Sequence, residues 1–334
     1  MIKFGYVMGF RNPRGLSKLS DADFYSAMFE QIEYLDRAGF ETIWTTEHHF
    51  VEDGYLSSVM PMMAAMAART KRVKVGSFVL LGPFYHPLRL AEDAALIDVI
   101  SNGRLRLGIG VGYRLEEFEI LQVPIKERLG RTLEGIEIMK RAWTGERFSF
   151  AGKYFNFKNA LVRPKPVSLK GPELLWGGMA PKSIKRSAQM DLGFACNLGA
   201  AEINQYHDAL RELGKDPRGY SVINTRQVYV ADSEDQAWAE IEPGLMYQMK
   251  LYGEWLSAGG IAGSSVYRPD AEALRKSSIL GPPHRVIGQL KELVAHVPMT
   301  ELAIMIQQPG LDPKLAMRSL QRFSTEVLPV LNQQ

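Results

Sequence analysis

Glu47, His48 and His49 stand side by side in the stretch TTEHHF, residues 45–50, of a chain that has only six histidines. A histidine takes up or gives a proton near neutral pH, and a neighbouring carboxylate can fix which ring nitrogen carries the hydrogen. Metal binding fits the triplet poorly, because a zinc-binding helix needs its two histidines one turn apart with a glutamate between them. Side chains alternate at the end of a strand, so at most one of the two histidines faces a pocket while the other packs behind it. The bland alternative is that both histidines satisfy loop carbonyls, and position alone weighs the two readings evenly.

Two further stretches carry possible chemistry. GIGVGY, Gly108 to Tyr113, spaces its glycines like a dinucleotide fingerprint, but it leads into the acidic RLEEFEILQVP, and no second strand with an acidic end follows about twenty residues on. It is either a tight strand-to-helix turn or a place where glycines such as Gly110 let a planar ring lie on the backbone, with Arg114 close enough to meet a phosphate. WGGMAPKSIKRSAQ places Gly177 and Gly178 at a strand end and starts a helix near Pro181. Backbone N–H groups at such a start form an anion site, to which Lys182 and Arg186 add charge. A plain turn is the competing reading.

These segments need a scaffold that brings them together. Short apolar runs alternate with segments of helical period, the pattern of repeated βα units. Strands are expected at Lys3 to Met8, Thr42 to Thr46, Val73 to Leu80, Leu105 to Ile109, Leu174 to Trp176, Gly193 to Cys196, Ser221 to Val230 and Glu301 to Gln307. Helices are expected from Ser20 to Ala38, Ser57 to Arg69, Leu88 to Ile100, Pro181 to Met190, Ala200 to Leu213 and Pro313 to Leu331, with a hairpin excursion after the fourth strand. The count favours an α/β fold, a (β/α)8 TIM barrel with insertions, the longest between strands seven and eight. The whole chain, 1–334, reads as one barrel domain whose insertion at about 233–283 contains SAGGIAGSS, a Gly/Ser-rich stretch expected to be mobile and to act as a lid. In a barrel the C-terminal strand ends share one rim, which puts the histidine triplet, the glycine turn and the MAPKS turn around one mouth.

Composition narrows the function. The chain has 334 residues, is 46% hydrophobic and carries a formal charge of +3, with no basic run interleaved with aromatics, so nucleic acid is not an expected partner. The single Cys196 excludes an internal disulfide framework and a thiolate metal cluster, and no metal is expected. The apolar run at the start is too short for a signal peptide or a membrane span, so a cytoplasmic protein without membrane contact is expected.

Taken together, AGFETIWTTEHHFVEDGYL at 38–56, VKVGSFVLLGPFYHPLRLAEDAALIDVISNGRLRLGIGVGY at 73–113 and WGGMAPKSIKRSAQ at 176–189 resemble the bacterial luciferase-like flavin monooxygenase family. The resemblance implies a barrel that binds FMN, usually reduced FMN supplied by a separate flavin reductase, and uses O2 to oxygenate an organic substrate. It implies His48 as general base or proton donor, supported by Glu47 and His49. It places Phe78 and Val79 at the backbone bend under the flavin ring, with Gly110, Tyr113 and Arg114 beside it. Gly178, Met179, Ala180 and Ser183 become the phosphate loop. Where the luciferase α-subunit has a cysteine and then an arginine, this chain has Gly110 and Val111, so the phosphate's charge must come from Arg114, Lys182 or Arg186. Phe10, Tyr55, Phe84, Tyr85 and Tyr113 suggest an apolar pocket for an aldehyde, ketone or aromatic compound, although ordinary packing explains scattered aromatics as well. The resemblance also implies a homodimer, formed through the helices after strands two and three, where MMAAMAA permits close contact. The same family includes F420-dependent oxidoreductases that transfer hydride. The long anionic tail of F420 calls for more rim cations than Arg11, Arg14, Lys182 and Arg186 supply. A flavin-binding subunit without turnover is a third reading, against which the presence of His48 counts.

Overall fold

Each βα unit begins with a strand that the helix after it covers, and the first shows how the local signals work. Ser20 caps the opening helix, its Oγ accepting from the Asp23 N–H at 3.1 Å, and Gly39 ends it at φ 87°. The computed structural model describes residues 2–168, 170–259 and 269–333.

In chain order the first half contains β1 (Lys3–Met8), α1 (Asp21–Ala38), β2 (Thr42–Thr45), α2 (Val59–Arg69), β3 (Lys74–Leu81), α3 (Pro87–Ser101), β4 (Leu105–Gly110), α4 (Leu115–Ile120) and α5 (Arg128–Ala142). A two-stranded antiparallel hairpin follows, β5 (Phe148–Ala151) and β6 (Asn156–Ala160), then β7 (Glu173–Gly177), α6 (Pro181–Gln189), β8 (Gly193–Ala195), α7 (Ala200–Glu212) and β9 (Val222–Val230). The last part comprises α8 (Glu234–Ala258), α9 (Ala271–Ser277), β10 (Ile279–Gly281), α10 (Pro283–His296), β11 (Glu301–Met305), α11 (Pro313–Arg322), a π-helical turn (Phe323–Val327) and α12 (Leu328–Leu331).

Strands β1, β2, β3, β4, β7, β8, β9 and β11 pair in parallel and close through β9 against both β8 and β11, the (β/α)8 barrel that the strand count predicts. β10 adds a short parallel strand to the far edge of β9. The expected strands match within a residue or two. The expected hairpin is β5 and β6. The differences lie in the helices and the insertion. α5 and α10 stand where no helix was expected, and the insertion after β9 holds the 25-residue helix α8, α9 and the short strand β10. Most of the Gly/Ser-rich stretch expected as a lid, Ala258 to Ser265, lies outside the described residues.

The barrel interior is filled by one large side chain facing small ones. Trp44 from β2 is fully buried, and its indole N–H donates to Glu301 at 2.8 Å. Opposite it stand Gly5 and Gly76, where an added Cβ would fall 2.9 Å from the indole nitrogen and 2.5 Å from the indole ring. Arg106 lies against the same indole at 4.8 Å and pairs with Glu301 and, at 2.6 Å, with Glu173. The cation is buried but has two carboxylates, the condition under which such a charge can be kept out of water.

Toward the mouth, the pairing of β3 with β4 shifts between Ser77 and Leu80, and the Phe78–Val79 peptide is cis. Val79 projects inward there. A Cβ at Gly110 or Gly177 would lie 2.6 Å from its methyl groups, and one at Gly108 would lie 2.4 Å from the Ser77 carbonyl oxygen. β4 and β7 therefore meet this bulge with bare backbone. Gly76→Ala is expected to cost about 1–3 kcal/mol by overpacking against Trp44. A denaturant midpoint equal to that of the wild type would show that the indole yields freely.

Candidate functional site at the barrel mouth

The loop after β2 is held by two buried carboxylates. Glu47, 2% exposed, accepts from the Leu81 N–H at 2.7 Å and from the Tyr85 hydroxyl at 2.8 Å, and pairs with His49 Nε2 at 2.8 Å. Glu117, fully buried on α4, uses one oxygen for two partners, His48 Nδ1 at 2.9 Å and the His49 backbone N–H at 2.8 Å. The two imidazoles take different carboxylates. The carboxylate that fixes the tautomer of His48 is Glu117, however, and not the adjacent Glu47, which holds His49.

An ionised carboxylate can only accept, so a neutral His48 carries its hydrogen on Nδ1 and presents Nε2 as an acceptor. The Tyr113 hydroxyl lies 3.3 Å from that nitrogen. The rings of Tyr55 and Trp255 approach the imidazole at 4.9 Å, and Tyr252 lies at 6.2 Å. Tyr252 and Trp255 come from α8, so the insertion after β9 roofs the histidine. Burial disfavours the charged form of His49, but its hydrogen bond to Glu47 and the charges of Glu47 and Glu117 outweigh that and hold its pKa above the ordinary histidine value.

The structure places Arg114 otherwise than expected. Its guanidinium donates to the carbonyl oxygens of His49 and Phe50, pairs with Glu116 and stacks at 4.8 Å on Trp255. It clamps the histidine loop because it sits at the N-cap of α4, directly across from that loop. Arg11, counted as a rim cation, is buried and paired with Asp53 at 2.6 Å, among the rings of Tyr55, Tyr247 and Tyr252. Arg14 pairs with Asp21 on the surface.

On the β7 side, Gly177 and Gly178 lead into α6, with Met179 exposed and Ala180 at the N-cap. Ser183 folds back so closely that a Cβ on Gly178 would lie 2.1 Å from its Oγ, which accepts the Trp176 indole N–H at 2.7 Å. Lys182 and Arg186 have no ion-pair partner among the described residues. Phe78, Val79, Phe84, Tyr85 and Tyr113 are partly exposed, whereas Phe10 and Tyr55 are buried. Sequence reasoning missed Glu117, Tyr252 and Trp255. Among the described residues no group of three or more His, Cys, Asp or Glu could hold a metal ion, and no helix is long and apolar enough to cross a membrane.

A closed (β/α)8 barrel with titratable groups gathered at the C-terminal ends of its strands is an enzyme architecture. More particularly, the chain belongs to the luciferase-like monooxygenase family, whose model matches residues 2–297, and it is an oxidoreductase of that class. It is 29% identical to the oxygenase component of the flavin-dependent trigonelline monooxygenase of Acinetobacter baylyi, over 92% of this chain and 90% of that one. It is 31% identical to an F420-dependent glucose-6-phosphate dehydrogenase of Amycolatopsis mediterranei, over 58% of this chain and 62% of that one. Among solved structures, the oxygenating constituent of the 3,6-diketocamphane monooxygenase of Pseudomonas putida, in complex with FMN, superposes with a TM-score of 0.82 at 21% identity, covering 98% of both chains.

Two outcomes follow from the carboxylates. Because the folded-state pKa of His49 is raised, its pairing with Glu47 stabilises the fold fully below about pH 6.5, the unfolded value. That contribution is lost as pH rises through the raised value. The wild type should exceed His49→Gln in melting temperature at mildly acidic pH and converge with it in mild alkali. A difference that grows with pH would reverse the assignment. Glu117→Ala, which strands two buried donors, is expected to cost about 1–3 kcal/mol per unpaired group in denaturant unfolding.

Proposed function

We propose that this chain is the oxygenase component of a two-component FMN-dependent monooxygenase. It takes reduced FMN from a separate reductase, uses O2 and acts on a small hydrophobic aldehyde, ketone or aromatic compound. The observation that carries the reading is the pairing, at one barrel mouth, of a His48–Glu117 dyad with an apolar wall of Phe78 and Val79 that β4 and β7 face with glycine alone. An apolar bulge whose side chains stay partly exposed at the mouth suits contact with a planar ring, and an adjacent dyad suits proton transfer.

The residues fit FMN. Val79 and Phe78 would lie under the ring, with Gly110 and Tyr113 at its edge. Gly178, Met179, Ala180 and Ser183 at the start of α6 would meet the phosphate through backbone N–H groups and the serine hydroxyl, with Lys182 and Arg186 supplying the charge that Arg114 spends on the histidine loop. Bound reduced flavin supplies the electrons that activate oxygen. The chain's own residues exclude water through the Tyr252 and Trp255 roof and hold a proton acceptor at His48 Nε2. His49 and Glu47 fix the loop that carries it. Expected alongside are a single barrel domain, a cytoplasmic location and a homodimer packed through α2 and α3.

A second reading, F420-dependent hydride transfer, is favoured by the F420-dependent relative. Against it stands the rim charge. Arg11 and Arg14 are both neutralised by carboxylates, which leaves Lys182 and Arg186 for a long anionic tail. A flavin-binding subunit without turnover is the third reading, and purified protein alone with reduced flavin tests it.

Anaerobic titration of the purified chain with FMN, reduced FMN and F420, followed by absorbance and fluorescence, is expected to show tightest binding of reduced FMN. Preference for F420 would replace the oxygenase reading with hydride transfer. In the oxygenase, His48→Ala should lower substrate turnover about 10²-fold. Unchanged turnover would remove His48 from the chemistry.

A further inference from the structure

His48 has no nitrogen left for a ligand. The residue is 6% exposed. Its Nδ1 is held by Glu117 at 2.9 Å, its Nε2 faces the Tyr113 hydroxyl at 3.3 Å, and Tyr55, Tyr113, Tyr252 and Trp255 surround the ring. A molecule in the mouth that exchanges a proton with this imidazole must therefore do so through a group already bonded to it. Glu117 is fully buried behind the ring and cannot be that group. Tyr113 is only half-buried, on the glycine-rich segment that leaves β4 beside the Val79 bulge, and Gly112 before it has φ 70°, which turns the chain toward the histidine loop.

We propose that Tyr113 is the residue that exchanges a proton with the ligand, and that His48 acts through it. The inference rests on the oxygenase reading above. In the step, an O–H or N–H proton of the ligand passes to the Tyr113 oxygen while the phenolic proton passes to His48 Nε2. One bond to hydrogen breaks and one forms at each transfer, and no electrons change hands. The imidazolium produced is held by Glu117 through Nδ1–H, and the reverse sequence returns the proton. Glu117 thus fixes the direction of the relay: with hydrogen on Nδ1, only Nε2 can accept, and Nε2 meets the Tyr113 hydroxyl. The titratable groups facing the imidazole are Glu117 and Tyr113 from the segment after β4, Tyr55 from the loop after β2 and Tyr252 from α8. Arg114 stacks on Trp255, whose ring also approaches the imidazole, and His49 is paired with Glu47.

Two measurements test the relay. The first needs no cofactor. Imidazole 15N NMR of the free protein should show His48 protonated at Nδ1 at neutral pH, and Tyr113→Phe, which keeps the ring and its packing, should move the Nε2 resonance and leave Nδ1 in place. An Nε2 resonance unmoved by the loss of the hydroxyl overturns the proposal. The second follows reoxidation of protein-bound reduced FMN by oxygen in stopped flow across neutral pH. With reduced FMN saturating both proteins, Tyr113→Phe is expected to slow it about 10²-fold and to flatten its pH profile. The double variant Tyr113→Phe/His48→Ala should be no slower than either single variant, because both interrupt one path. Wild-type rate and pH profile in Tyr113→Phe, with His48→Ala impaired, would mean that His48 meets the ligand directly, and the relay would fall while the oxygenase reading stood. If the wild type bound no reduced FMN, the oxygenase reading would fall, and the NMR result would still decide whether the Tyr113–His48–Glu117 chain exists.

Discussion

Two buried carboxylates bind the barrel mouth into one piece. Glu47 ties the loop after β2 to the end of β3 through Leu81 and Tyr85, and Glu117 ties the same loop to the helix after β4. A carboxylate withdrawn from water needs donors. The donors here are backbone N–H groups, histidine rings and the Tyr85 hydroxyl, which meet both oxygens of Glu47 and one of Glu117, and these bonds fix three rim segments relative to one another. His48 owes its orientation to that requirement before any ligand arrives. Arg114 adds the complementary cation, accepted by the carbonyls of the same loop.

Beneath the mouth, the barrel solves a volume problem. A parallel eight-stranded barrel leaves an interior just wide enough for side chains to fill. Here Trp44 occupies much of it, and Gly5 and Gly76 stand where any larger residue would meet the indole or its partners. Higher up, Val79 plays the same part against Gly108, Gly110 and Gly177. The interior cluster draws an apolar residue from every barrel strand except β4, which contributes glycines. Glycine in these strands serves close approach of Trp44 and Val79 rather than turning.

Much of this architecture was legible in the sequence, for identifiable reasons. The barrel strands are short apolar runs between turn formers, and helices such as α1 carry their caps in the sequence. α5 was not legible because Gly130 and Gly135 weaken its helical signal. The structure gives a reason for the first: the Tyr154 ring lies where a Cβ on Gly130 would be, at 2.3 Å. α8 was hidden by Pro243 and Gly244 in its middle, residues that ordinarily mark a helix end. In the site, the adjacency of Glu47 to His48 suggested the wrong pairing. The true partner lies 69 residues away, and a single sequence carries no signal for a contact at that distance. Arg114 was misread for the same reason, since its proximity to Gly110 was visible and the loop it clamps was not.

Gly244 also decides how high the roof sits over His48. A Cβ there would fall 2.4 Å from the Pro309 carbonyl oxygen, so α8 rests on the main chain beyond β11 with no side chain between them. Backbone against backbone is a spacing that drift in side chains cannot alter. From that fixed point the helix runs about 16 Å to Trp255, at 1.5 Å per residue. Tyr247, Tyr252 and Trp255 thus hang from a beam whose height is set at one end by the thickness of a peptide. The residues that face a bound molecule from above can be exchanged one at a time while the ceiling stays where it is, which separates the choice of ligand from the geometry of the dyad below.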